Sequence, residues 1–346
     1  MESRTKRRLE PDELVGLVTR LFGGTTEIVA ATELTDGMFN AVYRLDLGPA
    51  LGTVVLKSSP PPDVPLLTYE RDILRTEAAF YEAGAALPGV PLPRVLATDF
   101  SREQLDGDVL VVSCLEGRGW FGMRDEISAD DAARLRQDLG AMVGELHSVT
   151  GSRFGYFQPG AAQGATWRAA FVQMLDDVLS DAARFGVVLP VDGNAVREAL
   201  VGHAPLLAAV TTPSLAHFDL WEGNILLAER NGRLEISGII DAERAMWADP
   251  LADFVSLTLF ADIFDDHALT EGYRKGGGVL DGPDVGVRLA MYRAYLDLIM
   301  LVEATPRGYP PDEHAGLMNA ATDDLFRALE YLDPAQPHSR HARAHS

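Results

Sequence analysis

Apolar positions recur at helical spacing through Leu14, Leu17, Val18 and Leu21, with Pro11 near the start of the run and Gly23-Gly24 past its end. Proline pre-sets a first helical turn and glycine releases a last one, so the pattern predicts an amphipathic helix over 11–22. Beyond it the period drops to two. Segments 28–34, 41–47 and 53–57 read as successive strands, broken by Asp36-Gly37 and by Gly48-Pro49 through Gly52. Tyr43, Leu45 and Leu47 alternate with Arg44 and Asp46, the signature of a half-buried strand, so a small antiparallel sheet follows. After the stiff Pro60-Pro61-Pro62 link, a helix is predicted over 66–83, and then an apolar strand over 109–115 that runs into Glu116-Gly117-Arg118-Gly119. Those glycines mark a crossing between two lobes.

From there the pattern turns helical. Ser128-Ala129-Asp130-Asp131 resembles a capping box ahead of Leu135, Leu139, Met142 and Leu146 on one face, and His147, which closes that helix, reads as a satisfied structural histidine. Further helices are predicted over 167–183, 196–210, 289–302 and 317–332, with one more opened by Asp249-Pro250, where Asp249 serves equally well as an N-cap or a functional group. The expected class is α+β and bilobal: a small antiparallel-sheet lobe over 1–116, a larger helical lobe over 117–333 and a disordered tail over 334–346. The tail's His338, His341 and His345 lack periodicity and are not read as a metal site. No internal repeat or heptad pattern is visible.

Composition narrows the class. Of 346 residues 47% are hydrophobic and 23% charged, and no apolar run approaches the roughly 20 residues that cross a bilayer. The basic N-terminus lacks an apolar segment behind it, so no secretory signal is expected and the protein is placed in the cytoplasm. The lone Cys114 excludes an internal disulfide, and its apolar neighbours suggest a buried thiol. A formal charge of −21 argues against bulk nucleic acid and anionic membrane as partners, both of which demand basic patches. Acidic clusters at Asp125 and Glu126 and at Asp262, Asp265 and Asp266 could receive ammonium groups, although acids of this kind mostly solvate a surface. The chain uses arginine almost throughout: its only lysines are Lys6, Lys57 and Lys275.

Lys57 gains a reason from the helix that follows. At −4, −3, +3 and +4 from Glu77 stand Ile73, Leu74, Phe80 and Tyr81, which puts this carboxylate on the apolar face. A buried carboxylate needs a partner. Lys57 is the available cation for Glu77, with Glu70 as the second choice.

The densest chemistry lies in His217-Phe218-Asp219-Leu220-Trp221-Glu222-Gly223-Asn224 and, after it, Gly238-Ile239-Ile240-Asp241-Ala242-Glu243. Between them, 225–228 and 234–237 read as strands joined through Asn231-Gly232, the dipeptide favoured in a type I′ hairpin turn. Asn224 lies seven residues before Asn231 and Asp241 nine after Gly232, so both emerge at the open end of the hairpin, where one ion can touch both. Asp219 enters on the preceding loop. One carboxylate to orient and deprotonate a hydroxyl, with an amide oxygen and a second carboxylate to hold Mg²⁺ against phosphates, is the set that phosphoryl transfer requires.

On these motifs the chain resembles the aminoglycoside phosphotransferase and choline kinase-like group of protein-kinase-fold enzymes, from about Ile28 to Leu332. His217-x-Asp219-x-x-x-x-Asn224 is similar to the family's catalytic loop, and Ile240-Asp241-Ala242-Glu243 through Asp249-Pro250-Leu251-Ala252-Asp253 to its metal-binding segment. Asp36-Gly37-Met38-Phe39-Asn40 looks like its nucleotide-covering turn. The resemblance implies Asp219 as general base, Asn224 and Asp241 as Mg²⁺ ligands, Lys57 on the nucleotide phosphates with Glu77 as its partner, Gly37 and Asn40 in the covering turn, and Ser113, Cys114 and Leu115 as the hinge beside the base. His217 and Asp249 would be supports. It further implies ATP or GTP as donor and a small-molecule hydroxyl as acceptor, most naturally an antibiotic, with a metabolic kinase for an amino alcohol or sugar as the alternative and a pseudokinase as a third. Two departures stand out: the covering turn lacks three glycines, and Ala242 occupies a position where many members carry an aromatic.

Overall fold

A computed structural model describes residues 6–333 and 335, apart from 36, 38 and 283; the predicted tail over 334–346 lies almost wholly outside the described residues. Helix α1, Pro11–Phe22, begins with proline in its first turn and stops at Gly23 (φ 96°). Strands β1 (Ala30–Leu34), β2 (Ala41–Asp46) and β3 (Thr53–Ser58) follow as the period-two pattern predicts. With β4 (Val95–Asp99) and β5 (Val109–Ser113) they form one antiparallel sheet in the order β1-β2-β3-β5-β4. Alternation assigns its two faces. Tyr43, Leu45, Val54, Leu56, Val109 and Val111 pack with Leu14, Leu17 and Val18 of α1. Leu110 and Val112 join the larger core on the opposite face, and Lys57, paired in register with Leu110, points that way too.

The helix predicted over 66–83 is divided. A 3₁₀ turn, Thr68–Glu70, gives way to Asp72 in the left-handed region (φ 57°), and α2 runs only over Ile73–Gly84. The break has a physical use: it turns Glu70 and Glu77 toward different cations.

After the short β6 (Arg118–Gly119) the chain is mainly helical. Ser128 caps α3 (Ala129–His147) by accepting from the Asp131 amide. Strands β7 (Phe154–Tyr156) and β8 (Gln163–Gly164) are too short to show a period in the sequence. Thr166 caps α4 (Trp167–Arg184) and Asp192 caps α5 (Gly193–His203), which ends earlier than the predicted 210 and passes into a 3₁₀ turn at Ala204-Pro205. Then come β9 (Ser214–Ala216), the hairpin of β10 (Ile225–Arg230) and β11 (Arg233–Ile239), β12 (Met246–Ala248), a 3₁₀ turn over Pro250–Asp253 and a single helical turn, α6 (Phe254–Leu257). Helices α7 (His267–Lys275), α8 (Val285–Arg307) and α9 (Pro311–Leu332) complete the second lobe. The fold is α+β, a small antiparallel sheet joined to a larger helical region. No helix among the described residues is long and apolar enough to cross a membrane.

Glycines bring α3 and α7 to backbone contact. A Cβ on Gly140 would meet the Leu269 carbonyl at 2.2 Å, and one on Gly272 would meet the Gln137 carbonyl at 1.9 Å. This contact sets the position of the residues that hold the loop carrying Asp219.

Candidate active site

The hairpin turns through Asn231 (φ 53°) and Gly232 (φ 75°), both left-handed as a type I′ turn requires. Its register is not uniform. Leu227 faces Ile236 but Leu226 faces Gly238, so Ser237 is bulged, and its hydroxyl donates to the Glu116 carbonyl at 2.6 Å. The extra residue advances the second strand: the Ile240 amide donates to the Asn224 carbonyl at 3.0 Å, and Asp241 follows at once. The bulge therefore both ties the hairpin to the hinge and draws Asp241 toward Asn224.

Asp219 sits on the loop between β9 and the hairpin, directly after Phe218 in the left-handed region (φ 61°). A non-glycine residue held there costs free energy, and surrounding bonds must impose it. Asp253 supplies them, accepting the amides of His217 and Phe218 and bonding His147 Nε2 at 2.9 Å. His147 Nδ1 meets the Tyr273 hydroxyl at 2.9 Å, so this histidine is satisfied on both nitrogens. His217 Nδ1 accepts from the Asp219 amide at 3.3 Å while Nε2 donates to the Ile240 carbonyl at 3.0 Å, bridging the two motif segments.

Asn224 Nδ2 donates to the Asp219 carbonyl (2.8 Å) and to its carboxylate (3.2 Å), which leaves the amide oxygen of Asn224 to face elsewhere. Arg244 Nη1 stands 4.0 Å from the Asp219 carboxylate, and the same guanidinium is held by Glu303 at 2.9 Å. Burial pushes the Asp219 carboxyl above the ordinary carboxylate range, against the pull of Arg244 and His217.

Lys57 bridges two acids, with Nζ 2.6 Å from Glu77 Oε1 and 2.7 Å from Asp241 Oδ1. The Tyr81 hydroxyl donates to Glu77 (2.7 Å) and accepts the Asp241 amide (3.0 Å). Asp241 is itself left-handed (φ 66°). Burial, the largest single influence, would raise its carboxyl, but the charge and hydrogen bond of Lys57 with the nearby His217 and Arg244 together hold it below the ordinary range. Glu70 does not reach Lys57; it accepts from Arg307 Nε at 2.9 Å, and Arg307 also pairs with Glu303 at 3.2 Å.

Asn40 is buried and donates to Glu243 at 2.9 Å, while Phe39 lies beneath the Arg307 guanidinium at 4.9 Å. Gly37 is exposed, and Asp36 and Met38 of the same turn are outside the described residues. Burial first, and the Asp241 charge second, push Glu243 well above the ordinary range. At the hinge Ser113, Cys114 and Leu115 are half-buried, which corrects the expectation of a buried thiol: the strand ends at Ser113 and the thiol sits beyond its cover. The Ser113 amide donates to the Arg94 carbonyl at 2.9 Å and its hydroxyl accepts the Arg94 amide. Asp249 does two things. One oxygen accepts the Leu251 amide as an N-cap, and the other takes Arg288 and Tyr292, each at 2.6 Å.

The acidic clusters have structural work. Asp262 and Asp266 cap helical turns, Asp266 pairs with Arg136 at 2.6 Å, and Glu126 pairs with Arg118 at 2.7 Å. Sequence reasoning overlooked Tyr81, Glu243, Arg244, Asp253, Glu303 and Arg307. A signal existed for three of them: Asp253 closes the Asp249-Pro250 segment, and Glu303 and Arg307 stand four apart, an opposite-charge pair one turn apart at the end of α8.

Among the described residues no three His, Cys, Asp or Glu side chains gather as a metal cage. Acceptors nevertheless exceed donors here. Asn40 Oδ1 and Glu77 Oε2 are buried without a partner, and four acids, Glu77, Asp219, Asp241 and Glu243, face Lys57 and Arg244. An amide oxygen and a carboxylate are the sparse oxygen set that suits Mg²⁺, which keeps water and phosphate as its other ligands.

The sequence profile of the phosphotransferase enzyme family matches residues 30–289. No curated protein matches the chain. Among solved structures, a protein of Ralstonia eutropha JMP134 provisionally described as an aminoglycoside phosphotransferase superposes with a TM-score of 0.65 at 15% identity, over 95% of this chain and 100% of that one. A ternary complex of a thermostable mutant of the aminoglycoside phosphotransferase APH(4)-Ia with AMP-PNP and hygromycin B gives 0.61 at 19% identity, over 94% and 99%. The streptomycin–ATP–APH(2″)-IIa complex gives 0.58 at 16%, over 94% and 99%. At such identities the likeness is one of fold.

Proposed function

The chain belongs to the phosphotransferase enzyme family, and from that premise we propose that it is a small-molecule kinase transferring the γ-phosphoryl group of ATP or GTP to an acceptor hydroxyl, foremost that of an antibiotic. The observation that carries the reading is the meeting of Asp219 with Asn224 on one side and of Asp241 with Lys57 and Glu77 on the other. The names of the solved relatives support an antibiotic as acceptor.

Asp219 orients the acceptor hydroxyl and takes its proton as the new O–P bond forms. Lys57, fixed by Glu77, holds the nucleotide phosphates; Asn224 and Asp241 would hold Mg²⁺, which when bound supplies neutralising charge to the phosphate oxygens. Gly37 and Asn40 cover the nucleotide, and the Ser113 carbonyl with the Leu115 backbone faces its base. His217 and Asp249 support the two loops. The bond of Glu116 to the hairpin bulge supports a boundary between the lobes at 116–117.

The test is a nucleotide-consumption screen over antibiotic classes, amino alcohols and sugars with wild type and Asp219→Asn. Wild type should phosphorylate a hydroxyl compound, and the variant should lose about 10²–10⁴-fold in kcat while binding nucleotide normally. A variant that keeps most of its activity would overturn the role of Asp219. An amino alcohol or sugar as the preferred acceptor would make the enzyme a metabolic kinase.

A further inference from the structure

Two of the exposed large apolar side chains stand against each other beside the catalytic loop. Phe121, 51% exposed, belongs to the 3₁₀ segment Trp120–Glu126 that follows the hinge, and Trp221, 36% exposed, comes two residues after Asp219. Their rings meet edge to face, 5.4 Å apart at 63°. Neighbours of each are buried, Trp120 to 3% exposure and Leu220 to 0%. The two segments therefore keep one apolar side chain in and put one aromatic out.

The pair is built rather than incidental. A Cβ on Gly223 would come within 2.1 Å of the Trp221 ring, so the indole lies against bare backbone between Asp219 and Asn224, a placement only glycine permits. Arg124 lies over Phe121 at 4.5 Å and forms an ion pair with Glu222, and Gly119 pairs with Leu226 of β10. Two contacts, Phe121 on Trp221 and Arg124 with Glu222, thus join the 3₁₀ segment to the loop after Asp219 while leaving aromatic surface open to water, where a ligand can cover it.

Charge decides which ligand. A polyamine needs several unpaired carboxylates around its ammonium groups. In the two segments Glu222 is paired with Arg124 and Glu126 with Arg118, which leaves Asp125 as their one other acid besides Asp219, and Asp219 itself has the cation Arg244 beside it. An open π surface suits instead a flat ring, stacked or presenting its CH edge.

We propose that Phe121 and Trp221 form the acceptor platform, stacking on an aromatic ring in an acceptor of low positive charge and turning its hydroxyl toward Asp219. This rests on the reading of Asp219 as the base.

The experiment assays phosphorylation of kanamycin, chloramphenicol, 4-nitrophenyl β-glucoside and methyl β-glucoside by wild type, Trp221→Ala, Phe121→Ala, Trp221→Phe and Asp219→Asn. Wild type should favour the compounds that carry an aromatic ring over both kanamycin and the methyl glucoside. Trp221→Ala and Phe121→Ala should raise KM for them tenfold or more with kcat lowered no more than threefold, and Trp221→Phe should restore most of the affinity. Preference for kanamycin, or alanine variants with KM within twofold of wild type, would overturn the platform while turnover lost in Asp219→Asn leaves the kinase reading standing. A wild type that binds ATP yet phosphorylates none of the four would overturn the platform.

Discussion

Asp219 lies between two opposing influences, burial that favours its neutral form and the Arg244 cation that favours its charged one. A general base works only when ionised, so activity should rise with pH as Asp219 loses its proton, and its raised pKa places that acid limb above the ordinary carboxylate range. Replacing Arg244 by Gln removes a charge that lowers the pKa. The limb should then move to higher pH in a kcat profile taken between pH 4 and 8; a limb that stays in place would remove Arg244 from the control of Asp219. The residues of this site divide by how they are written in the chain. Asp219, Asn224 and Asp241 are legible because one loop and one hairpin carry them, and the Lys57–Glu77 pair because a carboxylate on an apolar helix face demands a cation. Arg307 and Glu70 are 237 residues apart, and no local pattern announces a partner at that distance.

At the scale of elements, the long periodic helices and the alternating strands were legible, whereas the break at Asp72 and the bulge at Ser237 were not. Both are single-residue events that leave the hydrophobic period nearly intact on either side, yet each re-aims a functional carboxylate. The glycine contact between α3 and α7 carries the same lesson into stability. Tyr273 of α7 bonds His147 of α3, which bonds Asp253, which holds the amides of His217 and the left-handed Phe218. Gly272→Ala would push a methyl into the Gln137 carbonyl. Overpacking of this kind costs about 1–3 kcal/mol, and a loss of that size is expected in urea denaturation, together with a fall in kcat as Asp253 shifts. A variant with unchanged stability would mean the helices separate freely and do not set the loop.

For the whole molecule, a charged seam joins the two lobes: Glu77 of α2 and Lys57 of β3 from the sheet lobe meet Asp241 of the helical one. Lys57 is the cation beside Asp241. Lys57→Ala should accordingly bind Mn²⁺ in the absence of nucleotide at least as tightly as wild type, followed by its paramagnetic resonance signal, while its nucleotide affinity falls tenfold or more by calorimetry; weaker Mn²⁺ binding in the variant would show that Lys57 does not compete for this carboxylate. The doubly bonded lysine has a consequence for how the enzyme meets its substrates. On the proposed reading, an ion that took Asp241 would release Lys57 for the phosphates, and phosphates that drew Lys57 away would bare Asp241 for the ion, so each would strengthen the other by the same factor. The seam would then behave as a coincidence detector, answering to metal and nucleotide arriving together and resisting either alone.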